Sequence, residues 1–210
     1  MQRTIQRTLA FGGVAAPALF SLVVLVSAAL RPDYSHLTSF ISELGATGTP
    51  RAALMDYAGF VPAGLMFAAF GIALARALPR DRLTTVAAVL VTLFASGVVT
   101  SGVISCDPGC PQNGGSVENT LHNGIGPISF LCLILAAGIL GIRFRRLPAW
   151  RHLSVYSLLT SAFALGFLVA LAISVETRAL TGVWQRLLLA TLFLWCVIVG
   201  LRAARYAGMS

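Results

Sequence analysis

The sequence contains no lysine at all, and charge of either sign is scarce. Its 210 residues include 15 arginines and seven acidic residues, so that 10% of the chain is charged, against roughly 25% in soluble proteins. The hydrophobic fraction is 57% and the mean hydropathy is +0.85. This composition excludes a disordered chain, a collagen-like chain, a disulfide-rich secreted module and a soluble DNA-binding domain. It predicts an integral membrane protein.

Six apolar stretches are each long enough to cross a bilayer as a helix, which takes about 20 residues. They lie at roughly 8–30, 54–76, 83–105, 120–142, 153–175 and 180–202. Because the hydrocarbon core offers no water to backbone groups, each stretch is predicted to be helical. No linker or internal repeat divides the chain. We therefore expect one all-α domain over residues 1–210, a six-helix transmembrane bundle.

The first two spans each have a distinguishing feature. The first resembles a secretory signal, with Arg3 and Arg7 before the apolar run. Its run of about 23 residues exceeds the roughly 7–15 of a signal core, so we expect it to be retained as an anchor. In the second span, Pro62 is expected to kink the helix, because proline removes a backbone donor and crowds the preceding turn.

The arginines are distributed unevenly between the two ends of the predicted helices. Eleven fall at the end that holds both termini: Arg3, Arg7, Arg76, Arg80, Arg82, Arg143, Arg145, Arg146, Arg151, Arg202 and Arg205. Four fall at the other end: Arg31, Arg51, Arg178 and Arg186. The positive-inside rule therefore predicts that both termini are cytoplasmic. Because the arginines stand singly or in short clusters at helix ends, they indicate contact with membrane lipids and not with nucleic acid.

The first outer loop is predicted to contain a short amphipathic helix over residues 36–44. Its apolar residues recur at helical spacing: Leu37, Phe40, Ile41 and Leu44. The opposite face groups His36, Ser39 and Glu43, and Asp33 precedes the helix. A serine, a histidine and a carboxylate suggest a nucleophile, a base and an orienting group. Solvated or capping side chains explain the same face without catalysis.

The second outer loop carries two cysteines around a turn, in the string Cys106-Asp107-Pro108-Gly109-Cys110. Pro-Gly favours a type II turn, which brings the cysteines together, and an outward location favours their oxidation to a disulfide. The disulfide would hold Asp107 at the mouth of the bundle. Zinc binding is an alternative with too few further ligands. A thiol relay through Cys132 and Cys196 is another, although buried free cysteines are usually apolar packing residues.

Polar residues on three helices lie toward the same outer end. His122 begins the fourth helix and is followed by small residues, so we expect it to point into the bundle, either as a functional group or bonded to a neighbour. On the third helix, Thr92, Ser96 and Thr100 form a stripe that either bonds neighbouring helices or lines a cavity. Arg186 on the sixth helix would suit a lipid phosphate or a carboxylate, or would pair with Glu176 or Glu118.

These two loops resemble a family of bacterial membrane proteins catalogued as Domain of Unknown Function 998. The resemblance is carried by Ile41-Ser42-Glu43-Leu44-Gly45-Ala46 with Pro50 after it, and by Asp107 followed by His122 at the head of a helix. It implies a membrane protein of six to seven helices, located in the bacterial cytoplasmic (inner) membrane. It implies no activity and no catalytic residues.

Three functions are consistent with the sequence. In a lipid-directed hydrolase or transferase, Asp107 and His122 would be the central pair, with His36, Asp33 or Glu43 completing the site. In a binding or transport protein, Arg186, Ser96 and Thr100 would line an outward-facing pocket. In a structural or accessory subunit, the outer loops would dock a protein partner whose identity the sequence does not indicate. No cofactor is identified; a metal would need at least three protein ligands, for which His36, His122 and Asp107 are the minimum set.

Overall fold

A computed structural model describes residues 1–209 of the chain, with side chains up to Tyr206. The six long helices are α1 (Gln2–Ala29), α2 (Val61–Ala77), α3 (Arg82–Ser101), α4 (Val117–Phe144), α5 (Ser154–Ser174) and α6 (Thr181–Met209). Short 3₁₀ helices occupy Ile41–Gly45 and Arg151–Leu153, and a π-helix at Leu54–Phe60 leads into α2. All six spans are long and apolar enough to cross a membrane, which confirms the predicted fold class.

The helices form a ring in chain order, closed where α1 packs against α6. Glycines allow the backbones of neighbouring helices to approach closely along their lines of contact, which we call seams. A Cβ on Gly12 of α1 would lie 2.3 Å from the backbone oxygen of Met66 on α2, and one on Gly200 of α6 would lie 2.9 Å from that of Ala10. Close approach through small residues is how helices gain packing energy in a membrane, where the hydrophobic effect does not draw them together.

An aromatic cluster fills the centre of the ring. Phe67 of α2 packs edge-on against Phe94 of α3, with ring centroids 5.0 Å apart, and lies 5.4 Å from Phe193 of α6. Phe20 of α1 packs against both Phe193 and Phe60. This cluster joins four helices and forms the floor of the space above it.

The irregularity predicted at Pro62 is present as the π-helix that precedes it. The backbone N–H of Val61 donates to the carbonyl of Asp56, five residues back, which is the hydrogen bond of a π-turn. Asp56 is only 7% exposed. Its Oδ2 accepts a hydrogen bond from Ser105 at 3.3 Å, whereas its Oδ1 is buried without a partner and lies against Gly45.

The structure differs from the prediction in the segment 36–44. Residues 36–39 form turns, and only Ile41–Gly45 is helical, as a 3₁₀ helix. Phe40, Ile41 and Leu44 are buried as expected, but Leu37 is 58% exposed and does not extend the apolar stripe. The physical reason is that side chains take the backbone donors of the segment: the Phe40 N–H bonds the Glu43 side chain within the segment, and the Ile41 N–H bonds Gln185 of α6.

The two ends of the bundle differ in charge. The α2–α3 and α4–α5 connections lie at the end rich in arginine, where Arg143 pairs with Asp81 at 2.5 Å. A backbone N–H from Thr84 and the Arg143 guanidinium hold the pKa of Asp81 below its usual value. The opposite end, which we call the loop face, carries the connections 30–53, 102–116 and 175–180.

Candidate functional site

The connections at the loop face contact one another directly. The backbone N–H of Thr47 donates to the carbonyl of Cys106 at 2.8 Å, and the Ser42 hydroxyl lies 3.5 Å from the Cys110 sulfur. Cys106 and Cys110 form the predicted disulfide, with their Cα atoms 5.1 Å apart and both residues buried. Cys132 and Cys196 are free thiols on α4 and α6. The two long connections therefore form one roof over the bundle.

Arg178, from the third connection, fastens this roof. Its guanidinium pairs with the Glu43 carboxylate at 2.9 Å and donates to the backbone oxygens of Gly109 and Cys110 at 2.6 and 3.1 Å. It also lies 4.5 Å from the centre of the Phe40 ring. Glu43 is thus used in an ion pair that joins connections, and not in a group with His36 and Ser39.

Asp107 and His122, the central pair of the predicted catalytic site, bond other groups in this structure. Asp107 accepts hydrogen bonds from the Ser116 N–H at 2.7 Å and the Ser116 hydroxyl at 2.8 Å, which orders the start of α4. His122 instead bonds the backbone oxygen of Ile104 through Nδ1 at 2.7 Å. Since a carbonyl only accepts, Nδ1 carries the proton and Nε2 is left without a partner among the described residues.

Arg186 and His36 belong to a separate cluster at the surface. Arg186 donates to Tyr34 Oη at 2.5 Å, to His36 Nδ1 at 3.2 Å, and to the backbone oxygens of Ser39 and Gly182. Its donors therefore hold the 34–39 turn against α6, in place of the expected pairing with Glu176 or Glu118. Desolvation and the Arg186 charge lower the pKa of His36, and burial raises the pKa of Tyr34 against the opposing effect of Arg186.

The remaining predicted site residues lie apart. Asp33 is exposed and pairs with Arg31 at 3.5 Å. Thr92, Ser96 and Thr100 each donate to the backbone carbonyl four residues earlier in α3, and among the described residues they bond no neighbouring helix. Within residues 1–209, no group of three or more His, Cys, Asp or Glu side chains is placed to hold a metal ion.

A cavity of about 360 Å³ lies between the aromatic cluster and the roof. All six spans and all three connections of the loop face contribute to its wall. The apolar lining residues are Phe20, Phe40, Ile41, Phe60, Phe94, Gly97, Val98, Gly126, Pro127, Phe130, Leu168, Leu171, Ala172, Val175, Leu189 and Phe193; the polar ones are Ser42, Ser101, Gln112, His122, Asn123, Ser129 and Gln185. No charged side chain lines the cavity in the part of the chain described. Of the predicted site residues, only His122 reaches it.

The polar groups of the cavity lie toward the roof and retain unused hydrogen-bonding capacity. Gln185 accepts from the Ile41 N–H at 2.8 Å, which leaves its amide NH₂ free. Asn123 donates to the carbonyl of Pro111 at 2.8 Å, which leaves its side-chain oxygen free. None of these free atoms, nor Nε2 of His122, is among the fully buried polar atoms. They can therefore bond a molecule in the cavity.

Gln185, Asn123 and Arg178 belong to the candidate site and were not predicted from the sequence. Gln185 and Asn123 are the sequence neighbours of two predicted site residues, Arg186 and His122. This adjacency was the signal by which the sequence could have indicated them. Arg178 gave no local signal, because its partners come from connections 69 and 135 positions away.

The six apolar spans, with a disulfide-closed roof over a cavity, define a multi-pass helical membrane protein. The family model described as "Protein of unknown function (DUF998)" matches residues 14–202, which is most of the chain. The chain belongs to this family. Comparison with curated proteins and with solved structures gave no significant match.

Proposed function

We propose that the protein binds an amphipathic molecule of the membrane in the cavity beneath the roof. The observation that carries this proposal is the cavity itself. Its volume of about 360 Å³ falls in the range of small-molecule sites, roughly 300–1,000 Å³, and its wall has their composition of aromatic and aliphatic side chains with a few convergent polar groups. The described residues offer neither the Asp107–His122 pair nor a metal-ligand set to support catalysis.

A cavity of this kind is costly unless it is occupied. Buried space lined by phenylalanine and leucine forfeits the dispersion contacts that packed side chains would make. Filling it with a larger residue at any of several small lining positions, such as Gly126, Ser101 or Ala172, would restore those contacts. The small residues therefore favour a binding site over a packing defect.

Two glycines of α4 provide a matched test. A Cβ on Gly126, which lines the cavity, meets nothing within 4 Å, and the same is true of Gly124, which does not line it. Gly126→Leu should fill the cavity and lower ligand retention by about tenfold or more, since overlapping a bound molecule costs roughly 1–3 kcal/mol. Gly124→Leu should leave retention unchanged.

The measurement is native mass spectrometry of protein released from lipid nanodiscs. Wild-type protein and Gly124→Leu are expected to carry a co-purifying molecule that Gly126→Leu lacks. Equal retention by all three proteins would contradict binding in the cavity, and so would a wild-type protein that carries nothing after reconstitution in a total lipid extract.

We also propose a bacterial cytoplasmic membrane location with both termini in the cytoplasm. The uneven arginine distribution supports this orientation. The disulfide supports it as well, because cysteines at the loop face would then meet an oxidising compartment.

A further inference from the structure

The seam between α4 and α5 is closed at one end and open at the other. In the arginine-rich half, Ser161 of α5 donates to the Ile134 carbonyl of α4 at 2.9 Å, and Ser154 donates to that of Gly141 at 2.7 Å. A Cβ on Gly138 would lie 2.9 Å from the Ser161 hydroxyl. In the loop-face half of α4, by contrast, a Cβ on Gly126 meets nothing within 4 Å.

The open half of the seam coincides with the cavity wall. The two serine hydrogen bonds fix which residues of α4 and α5 lie opposite each other. Continued toward the loop face, this pairing places Pro127 opposite Leu168 and Asn123 opposite Ala172. All four residues line the cavity. Pro127 and Ala172 line the cavity and are also exposed. Exposed residues in the wall of a cavity mark a place where the wall is open.

Neighbouring seams at the same height are closed. Phe167 of α5 stacks on Trp184 of α6, with ring centroids 6.4 Å apart, and Thr181 bonds the Ser174 carbonyl. Between α3 and α4, a Cβ on Gly97 would lie 1.8 Å from the Ser129 hydroxyl. The α4–α5 opening is therefore a gap at one position and not a general looseness of the bundle.

The opening lies at the depth of the hydrocarbon core. Pro127 is ten residues into α4, about 15 Å along the axis at 1.5 Å per residue, and the core is about 30 Å thick. Ala172 stands two residues before the end of α5. The gap therefore extends from near the middle of the bilayer toward the loop face, where its neighbours are lipid chains.

The polar end of the cavity specifies the head group. No charged side chain lines it in the described part of the chain, so a phosphate, carboxylate or ammonium would be buried without a counter-ion, which is strongly unfavourable. The Gln185 amide NH₂ is a donor, and the Asn123 oxygen and, in neutral histidine, His122 Nε2 are acceptors. A group that both accepts and donates, such as a hydroxyl or an amide, satisfies this set.

We infer that the cavity takes up a single-chain lipid with an uncharged hydroxyl or amide head group, which enters sideways from the bilayer between α4 and α5. The inference rests on the proposed binding function. The head group bonds His122, Asn123 and Gln185 beneath the roof, and the alkyl chain follows the gap past Pro127 and Ala172 into the surrounding lipid.

The test uses full-length protein in phosphatidylcholine nanodiscs and a hexadecanol that carries a photoreactive diazirine in its chain. Unlabelled hexadecanol should suppress photolabelling of the cavity at concentrations about tenfold below those needed for hexadecyl phosphate or hexadecylamine. Adducts should map by mass spectrometry to α4 and α5 between residues 122 and 175. This part of the test needs no variant. Equal competition by the charged analogues would overturn the uncharged head group.

The entry route is tested by the time course of labelling. Ala172→Trp should slow the approach to equilibrium by about tenfold, because a bulky ring obstructs the gap. Ile173→Trp is the matched control, since Ile173 is 76% exposed and does not line the cavity, and it should label at the wild-type rate. Wild-type kinetics in Ala172→Trp, together with loss of labelling in Gly126→Leu, would overturn the sideways entry and leave the proposed function intact. Undiminished labelling in Gly126→Leu would overturn both.

Discussion

At the scale of single residues, Arg178 connects distant parts of the loop face. One guanidinium joins three connections that are far apart in the chain: its own, the 30–53 connection through Glu43, and the 102–116 connection through the carbonyls of Gly109 and Cys110. The Glu43 side chain is 13% exposed, so the pair is partly desolvated, where such hydrogen bonds are strongest. Loss of the guanidinium would leave the Glu43 carboxylate without its counter-ion.

We predict that Arg178→Ala lowers the free energy of unfolding by about 2 kcal/mol, the usual contribution of hydrogen bonds to charged groups. Arg51→Ala is the matched control. Arg51 also lies at the loop face with positive φ, at 63° against 57° for Arg178, so both substitutions carry the same backbone cost. The Arg51 side chain makes one hydrogen bond, to the Leu30 carbonyl at 3.1 Å, so its loss should change the free energy of unfolding little. Thermal unfolding in detergent measures both; equal shifts would show that the three-way contact is not stabilising.

The partner of a single side chain was predictable from the sequence where the two residues lie close together in the chain. The disulfide follows from two cysteines flanking a Pro-Gly turn, and both partners lie within five residues. The Asp107–His122 pair depended on how the 102–116 connection folds back on the start of α4, and each side chain bonds another group instead: Asp107 bonds Ser116, nine positions away, and His122 bonds the Ile104 carbonyl, 18 positions away. The partner that a side chain takes is set by the folded path of this connection and not by separation along the chain.

At the scale of helices, the glycines divide into those that set seams and those that face open space. A side chain at a seam glycine displaces a neighbouring backbone, which cannot rotate away as a side chain can. Gly12 is of this kind, with the Met66 carbonyl 2.3 Å from the position of its Cβ. Gly166 of α5 has nothing within 4 Å.

We predict opposite effects of the same substitution at these two glycines. Gly12→Ala should destabilise the protein by roughly 1–3 kcal/mol through separation of α1 from α2. Gly166→Ala should be neutral or stabilising by up to about 1 kcal/mol, because alanine loses less conformational freedom in a helix. The measurement is the melting temperature of each variant, compared with that of the wild-type protein in the same detergent. A stable Gly12→Ala protein would contradict the close backbone approach of α1 and α2.

The positions of the helices were largely predictable, whereas their local irregularities were not. Span boundaries follow from apolar length, so the predicted 54–76 and 153–175 agree closely with Leu54–Ala77 and Arg151–Ser174. The segment 36–44 has helical periodicity but folds as turns and a 3₁₀ helix, because Gln185, 144 positions from Ile41, takes a backbone N–H. Periodicity reports which residues prefer burial and does not report which distant groups bond the backbone.

At the scale of the whole molecule, hydropathy predicts six spans but not the ring they form. Every face of a membrane helix is apolar, so the pattern that marks the buried face of a soluble helix is weak here. The cavity was unpredictable for the same reason: its wall draws on residues from Phe20 to Phe193 that no local motif unites. The end of the bundle that holds it was predictable, because the longer connections and most acidic residues lie there.

The arginine distribution predicts the orientation of the molecule in the membrane, and this prediction is open to direct test. We predict that cysteine introduced at exposed Asn113, on the loop face, reacts with a membrane-impermeant maleimide in intact bacterial cells. Cysteine at exposed Arg146, on the arginine-rich face, should react only after permeabilisation. Each variant serves as the control for the other. The native free thiols should not react with the reagent, because Cys196 is buried and Cys132 lies on a membrane span.

The reverse pattern would place the roof and its disulfide in the cytoplasm, where reductants keep thiols reduced. The roof would then lose its Cys106–Cys110 link, although Arg178 would still hold its three connections together. The proposed ligand would then enter from the inner leaflet, because the α4–α5 gap lies in the half of the bilayer nearest the loop face. The labelling pattern therefore tests the orientation of the chain and, with it, which leaflet would supply the proposed ligand.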